Sequence, residues 1–216
     1  MKIGILGTGM VGQAIGTGLV KKGHEVKMGS RDANNAKAKA WVGTAGTKAS
    51  QGTFADAAKF GEIVFNCTGG GVSLEALKQA GEQNLAGKVL VDVANPLDFS
   101  KGMPPTLSVC NTSSLGEQIQ AAFPNARVVK TLNTLNAQLM MDPSLMPGPH
   151  EIFVSGNDAA AKAQITKLLG EVGWKEIIDL GDITTARGTE MLLPIWIRLM
   201  GTFGTPMFNF HLARKA

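Results

Sequence analysis

Apolar residues recur along the chain with two different spacings. KIGIL (2–6), EIVFNC (62–67), KVLVDV (88–93) and ARVVKTL (126–132) are nearly continuous apolar runs rich in Val and Ile. Such runs mark strands covered on both faces. HEVKMG (24–29), HEIFVSG (150–156) and EIIDLG (176–181) are further strand candidates. Between them, residues 10–22, 33–42, 53–59, 73–82, 113–123 and 158–172 have the spacing or composition of helices. Gly23 closes the first of these, a common helix stop.

Strand and helix patterns thus alternate from the start. This predicts an α/β fold of the Rossmann type, a doubly wound and mostly parallel sheet with helices on both faces. Past Met140, the cluster Asp142, Pro143, Pro147, Gly148 and Pro149 reads as a loop, after which two extra strands follow. Residues 182–216 are rich in Met, Leu and Phe and read as a small helical C-terminal extension. The expected division is a dinucleotide-binding domain with appended strands over 1–181 and a helical cap over 182–216, the cap also serving as a dimer and acceptor-site element.

Composition narrows the function. With 44% hydrophobic and 18% charged residues the chain can bury a substantial core. Tyr is absent and aromatics reach only 6%, which argues against a stacking platform for nucleic acid. The net charge of +4 is spread without a long basic run, a mild bias toward anionic ligands. MLLPIWIRLMGTF (191–203) is the most apolar late stretch, but it is too short to span a bilayer and contains Pro194 and Arg198. The N-terminus begins a strand at once and lacks the three parts of a signal peptide. Cys67 and Cys110 have no metal-like spacing and suit a reducing compartment, so the expectation is a cytoplasmic protein without a metal.

Gly7-Thr8-Gly9-Met10-Val11-Gly12 fits G-x-G-x-x-G, follows a strand and opens a helix. In that context Gly7 permits the tight turn, Gly9 lets a pyrophosphate approach the backbone, and Gly12 lets helix and strand pack closely. The helix N-terminus then offers N–H groups and partial positive charge to the phosphates.

About 20 residues further on, a site for NAD carries an acid that accepts a hydrogen bond from the ribose 2′-hydroxyl. Here the stretch is Met28-Gly29-Ser30-Arg31-Asp32. Ser30 offers a hydroxyl, and Arg31 a fork that can pair with the oxygens of a 2′-phosphate. Lys37 or Lys39 can add charge to the same pocket. The expected cofactor is therefore NADP(H); Asp32, if it rather than Ser30 faced the ribose, would restore NAD.

Ligands of such sheets lie at the carboxyl ends of the strands. Three loops there are candidates: Cys67-Thr68-Gly69, Ala94-Asn95-Pro96, and Lys130-Thr131-Leu132-Asn133-Thr134-Leu135-Asn136-Ala137, where three polar side chains cluster at the strand end and Asn133 is the candidate site residue. Asn95 is held extended by Pro96.

Taken together, GTGMVG, GSR, NPL, KTLNT, FVSGND and EMLLP resemble the NADPH-dependent deazaflavin (coenzyme F420) oxidoreductases and their dinucleotide-binding relatives. The N-terminal module is also similar to the cytosolic module of membrane ferric reductases. The resemblance implies a Rossmann domain, a small C-terminal domain, a homodimer formed through the C-terminal helices, and hydride transfer between NADP(H) and a deazaflavin. It matches Thr8, Ser30 and Arg31 to residues that hold the 2′-phosphate. It matches Asn133, Leu135 and Ala137 to the wall where nicotinamide meets the acceptor, and places Met191, Pro194 and Met200 over the deazaflavin. Archaeal deazaflavin enzymes carry His at the position of Asn133, whereas Asn resembles the ferric reductase module.

Transfer between two ring cofactors needs little protein acid–base chemistry, so no catalytic side chain is expected. The acceptor is expected to be a small redox molecule: F420 on the resemblance, otherwise a flavin, ferric chelate, quinone or small carbonyl or imine. A carbonyl or imine reductase would need a proton donor, for which Lys130 is a candidate despite its place within a strand. A non-catalytic NADP(H) sensor is the alternative of another class. His24, His150 and His211 have no acidic partner evident in the sequence.

Overall fold

The computed structural model describes residues 1–215. Its elements run β1 (Lys2–Leu6), α1 (Met10–Lys21), β2 (Glu25–Ser30), α2 (Ala36–Ala45), β3 (Ala49–Thr53), α3 (Phe54–Phe60) and β4 (Ile63–Asn66). Next come α4 (Ser73–Ala80), α5 (Glu82–Leu85), β5 (Val89–Asp92), β6 (Leu97–Asp98), β7 (Thr106–Leu107), α6 (Leu115–Ala122) and β8 (Arg127–Thr131). The chain ends with α7 (Ala137–Met141), β9 (Glu151–Ser155), α8 (Ala159–Val172), β10 (Glu176–Gly181), α9 (Ala186–Met191) and α10 (Leu193–Phe203).

Eight strands form one sheet in the order β10-β9-β8-β5-β4-β1-β2-β3. From β3 to β8 every pairing is parallel, the doubly wound arrangement that the alternation predicts. The appended strands depart from that direction: β9 runs antiparallel to β8, and β10 parallel to β9. A separate two-stranded ribbon, β6 with β7, stands over the end of β5.

The continuous apolar runs have a simple cause. Ile63 and Phe65 face one core and Val64 the other; Val89 and Val91 are likewise opposed to Leu90. Successive strand side chains point to opposite faces, so a strand with helices on both sides must be apolar at every position. On one face α1, α2 and α8 contribute Ile15, Leu19, Trp41, Ile165 and Leu169. On the other, α3, α4 and α6 contribute Phe54, Ala57, Leu77 and Ile119, joined by Phe123 just after α6.

One strand was not foreseen and one expectation needs correction. β3 (ASQGT) has no apolar alternation to read, because only Gly52 of its residues is buried at this sheet edge. The C-terminal extension is helical only as far as Phe203, where Gly204 takes a left-handed conformation (φ 65°). Residues 204–215 then run without helix, held by Asn136 Nδ2 on the Pro206 carbonyl (2.7 Å) and by the Glu151 N–H on the Phe210 carbonyl (3.2 Å).

Candidate active site

The three glycines after β1 are required for three different reasons. Gly7 has φ +119° and donates its N–H to the Gly29 carbonyl at 3.0 Å, tying the loop to β2. A Cβ on Gly12 would lie 2.2 Å from the Gly7 carbonyl oxygen, so α1 can seat on β1 only without a side chain there. A Cβ on Gly9 would meet no protein atom within 4 Å. Gly9 thus answers to no packing demand of the chain, and its bareness keeps open the surface that a pyrophosphate would occupy. The first turn of α1 contains no acid, and Gly9 supplies no side-chain cap, which leaves its N–H groups available to an anion. Gln13 steadies the loop by donating to the Thr8 carbonyl at 2.9 Å.

At the end of β2, Ser30 is buried and its hydroxyl donates to the Asp32 carbonyl, while the Asp32 N–H donates back at 3.2 Å. The Asp32 carboxylate accepts from the Asn34 N–H at 2.9 Å, a local turn that leads toward α2. Gln51 of β3 braces the same turn by donating to the Ala33 carbonyl at 2.9 Å. Arg31 is exposed and, among the described residues, makes no salt bridge. Lys37, also exposed, lies in the first turn of α2, a turn without acids and capped by Asn35.

Between the ends of β1, β4 and β5 lies a cleft of about 340 Å³, lined by Val11, Thr68, Gly69, Ala94, Asn95 and Phe99 with their neighbours, including Cys67. This is the switch point of the sheet, where the chain turns from building toward β3 to building toward β8. Burial, reinforced by the Asp92 carboxylate, raises the Cys67 thiol far above its ordinary pKa, so it stays neutral and is an apolar wall rather than a nucleophile. A larger hollow of about 680 Å³, lined by Lys22, His150 and Trp174, sits past the other end of α1. It is separated from the glycine loop by the length of that 12-residue helix, roughly 18 Å.

Asn133 sits next to this cleft through Asn95. The Asn95 amide donates to the Asn133 carbonyl at 2.8 Å, and the Asn133 amide donates to Asn95 Oδ1 at 2.9 Å. The turn that presents Asn133 passes through Leu132, a buried residue with φ 60°, a conformation rare for a branched side chain. Pro96, after Asn95, accepts from the Ser108 N–H at 2.8 Å and so holds the ribbon. Leu135 and Ala137 are both buried. Met191 and Pro194 are exposed and Met200 half-buried on the C-terminal helices, outside the lining of the cleft.

Sequence reasoning missed the polar network beneath this floor. Asn66, Ser73, Asp92 and Glu190 are buried, the first three completely. Thr68 donates its hydroxyl to Asn66 Oδ1 at 2.6 Å, and Asn66 donates to Asp92 Oδ1 at 2.8 Å and to Ser73 Oγ at 3.1 Å. Lys130 continues the chain to Asp92 at 2.7 Å and to Glu190 at 2.8 Å. The available signal was that Asn66 and Asp92 end otherwise apolar strands. Burial alone would lower the Lys130 pKa, but the Asp92 and Glu190 carboxylates outweigh it and hold the ammonium above the usual lysine value. With no solvent access and its protons committed, Lys130 cannot serve as the proton donor of a carbonyl or imine reductase.

The histidines also gain partners that the sequence did not reveal: Glu171 lies 3.8 Å from His24, and Glu151 lies 3.1 Å from His211. Among the described residues no group of His, Cys, Asp and Glu is arranged to hold a metal, and no helix is long and apolar enough to cross a membrane.

Comparison with known proteins assigns the family. Residues 2–96 match the family model described as NADP oxidoreductase, coenzyme F420-dependent. An F420-dependent NADP reductase from Methanocaldococcus jannaschii is 30% identical over 208 residues, covering 92% of both chains. The chain belongs to the coenzyme F420-dependent NADP oxidoreductase family. Its class is NADP-dependent oxidoreductase. A solved structure of a candidate F420-dependent NADP reductase from Arthrobacter sp. FB24 superposes with a TM-score of 0.96 at 56% identity, covering 99% of this chain and 100% of that one. The chain is also 30% identical over 202 residues to metalloreductase STEAP3 of Rattus norvegicus; the match takes in 90% of this chain but only 38% of that protein's length.

Proposed function

We propose that this member of the family passes a hydride between NADP(H) and a second small redox molecule, with coenzyme F420 as the acceptor, and that it does so as a cytoplasmic homodimer. The observation that carries the cofactor half is the pairing of Gly9, whose Cβ position is open, with an uncommitted Arg31 at the end of β2. The residues present fit NADP(H). The first turn of α1 would hold the pyrophosphate, with Thr8, Met10 and Val11 alongside it. Ser30, Arg31 and Lys37 would hold the 2′-phosphate. The cleft beside Cys67, Thr68, Gly69, Ala94, Asn95 and Pro96 would take the nicotinamide half.

When bound, the nicotinamide supplies the hydride, so the chain's task is distance, orientation and exclusion of water. Asn133, Leu135 and Ala137 would set the wall at which the two ring systems meet. Met191, Pro194 and Met200 would supply an apolar cover for the acceptor. Proton transfer from the protein has no part in this scheme, in keeping with the buried Lys130.

The test is NADPH consumption by the purified protein, followed separately with coenzyme F420, a flavin and a ferric chelate. Rapid F420-dependent oxidation supports the reading, whereas tight NADPH binding without turnover on any acceptor would replace it with a sensor. A second reading, reduction of a flavin or ferric chelate, is favoured by the similarity to the metalloreductase. Turnover with those acceptors and none with F420 would decide for it.

A further inference from the structure

A fully bonded ammonium lies under the cleft rather than in it. Lys130 is the bulkiest of the fully buried side chains, and its ammonium donates to Asp92 Oδ2 at 2.7 Å, to Glu190 Oε1 at 2.8 Å and to the Ala94 carbonyl. An ammonium has three protons, so every one is assigned. Asp92 in turn accepts the Ala94 N–H at 3.3 Å on its other oxygen. The amide nitrogen and the carbonyl oxygen of Ala94 are therefore held by one ion pair, and Ala94 forms part of the cleft wall. The same Asp92 oxygen reaches Thr68, across the cleft, through Asn66.

The third partner, Glu190, belongs to the C-terminal segment. Its carboxylate accepts the Leu115 N–H at 2.8 Å and the Gly116 N–H at 3.0 Å, the first amides of α6. One buried cation thus balances two carboxylates, and the helix N-terminus stabilises the remaining negative charge. Glu190 is the penultimate residue of α9, so the junction between α9 and α10 is anchored to Lys130.

We infer that Lys130 is a positioning residue, which through Asp92 and Ala94 fixes the wall of the cleft that meets the nicotinamide half of the nucleotide and through Glu190 anchors the C-terminal helices to that wall. A core of similar volume without charge would pack as well or better, since a buried ion pair is weak as a source of stability. The network is better explained by the place it holds the Ala94 peptide. This inference rests on the NADP(H) reading of the cleft.

The test uses binding of two probes, NADPH and adenosine 2′,5′-bisphosphate, which lacks the nicotinamide half. Lys130→Met alone leaves two buried carboxylates and can fail to fold, so the informative protein is the triple variant Lys130→Met, Asp92→Asn, Glu190→Gln, in which all three sites are neutral. The single variant Glu190→Gln accompanies it. The triple variant is expected to stay folded by circular dichroism and to bind NADPH about tenfold more weakly, the equivalent of one lost hydrogen bond. Its affinity for the bisphosphate stays at the wild-type value, and Glu190→Gln shifts NADPH in the same direction. Equal losses for both probes, or none for either, would overturn the positioning role while the wild type still bound both. A wild type that bound neither probe would overturn the nucleotide reading and this inference with it.

Discussion

Asn95 and Asn133 hold each other by two hydrogen bonds, one amide donating to a main-chain carbonyl at 2.8 Å and the other to a side-chain oxygen at 2.9 Å. They come from loops 38 residues apart in sequence, after β5 and after β8. This pair joins the cleft to the wall where an acceptor would sit. Replacing Asn133 by Ala leaves its main-chain carbonyl on the Asn95 amide but strands Asn95 Oδ1 in a half-buried place, at a cost of about 1–3 kcal/mol. The expected Asn133→Ala protein is less stable in urea by that amount and turns over more slowly, with its NADPH affinity within a few-fold of wild type. An unchanged rate with every acceptor would remove Asn133 from the site.

Gly12 and Gly9 should separate cleanly. Gly12→Ala places a Cβ 2.2 Å from the Gly7 carbonyl oxygen, so the helix must move off the strand. A loss of roughly 1–3 kcal/mol follows from such overpacking. Gly9→Ala meets no protein atom and should leave the melting temperature within a degree or so of wild type, yet weaken NADPH binding at least tenfold, since the new methyl occupies the phosphate's approach. Calorimetry and nucleotide titration of the two variants check this. Gly9→Ala binding NADPH normally would count against the loop as the pyrophosphate seat.

On the proposed reading, Arg31 carries the choice between NADPH and NADH. A charge-assisted hydrogen bond contributes about 1.5–3 kcal/mol, so Arg31→Ala is expected to weaken NADPH roughly 10- to 100-fold and NADH hardly at all. Fluorescence titration with both nucleotides measures the ratio. Equal affinities in the wild type would sink the assignment.

His24 gives the fold an acid-sensitive point. Burial, together with the N-terminal ammonium, lowers its pKa below 6.5, against the pull of Glu171. The folded state therefore binds the proton less well than the unfolded chain. Its stability is full above the unfolded value and is lost as the pH falls from about 6.5 down through the folded pKa. Urea midpoints measured from neutral to mildly acidic pH should decline for the wild type, and the decline should be smaller in His24→Gln. Parallel curves for the two proteins would assign the loss to other groups.

The C-terminal helix α10 leaves Ile195 and Phe203 more than half exposed, at 52% and 56%. If this face makes the proposed homodimer, Ile195→Asp should convert the species seen by light scattering from two chains to one without altering the circular dichroism spectrum. A wild-type mass of a single chain would end the dimer proposal.

Much of this was legible in the linear chain. A doubly wound sheet leaves runs such as KVLVDV because helices cover both faces, and the G-x-G-x-x-G turn has a spacing set by local backbone geometry alone. Ser30 and Arg31 were legible for the same reason, since the end of β2 lies a fixed number of residues past the loop. β3 was not, because an edge strand with one buried residue needs no apolar pattern. Nor was the extended path of residues 204–215, which is stabilised by contacts to Asn136, His150 and Glu151 rather than by any local preference.

The sequence by itself determined the local chemistry: where a glycine turn opens a helix, which runs are buried, which cation stands at the end of β2. Tertiary structure alone decided the partnerships. Lys130 meets Asp92 and Asn133 meets Asn95 because strands distant in the chain are neighbours in the sheet, whereas Glu190 reaches Lys130 and His211 reaches Glu151 because the C-terminal segment packs back on it. A buried charge declares its residue type in the sequence, but its partner is set by strand order and by where the C-terminal segment docks, and neither leaves a local period to read.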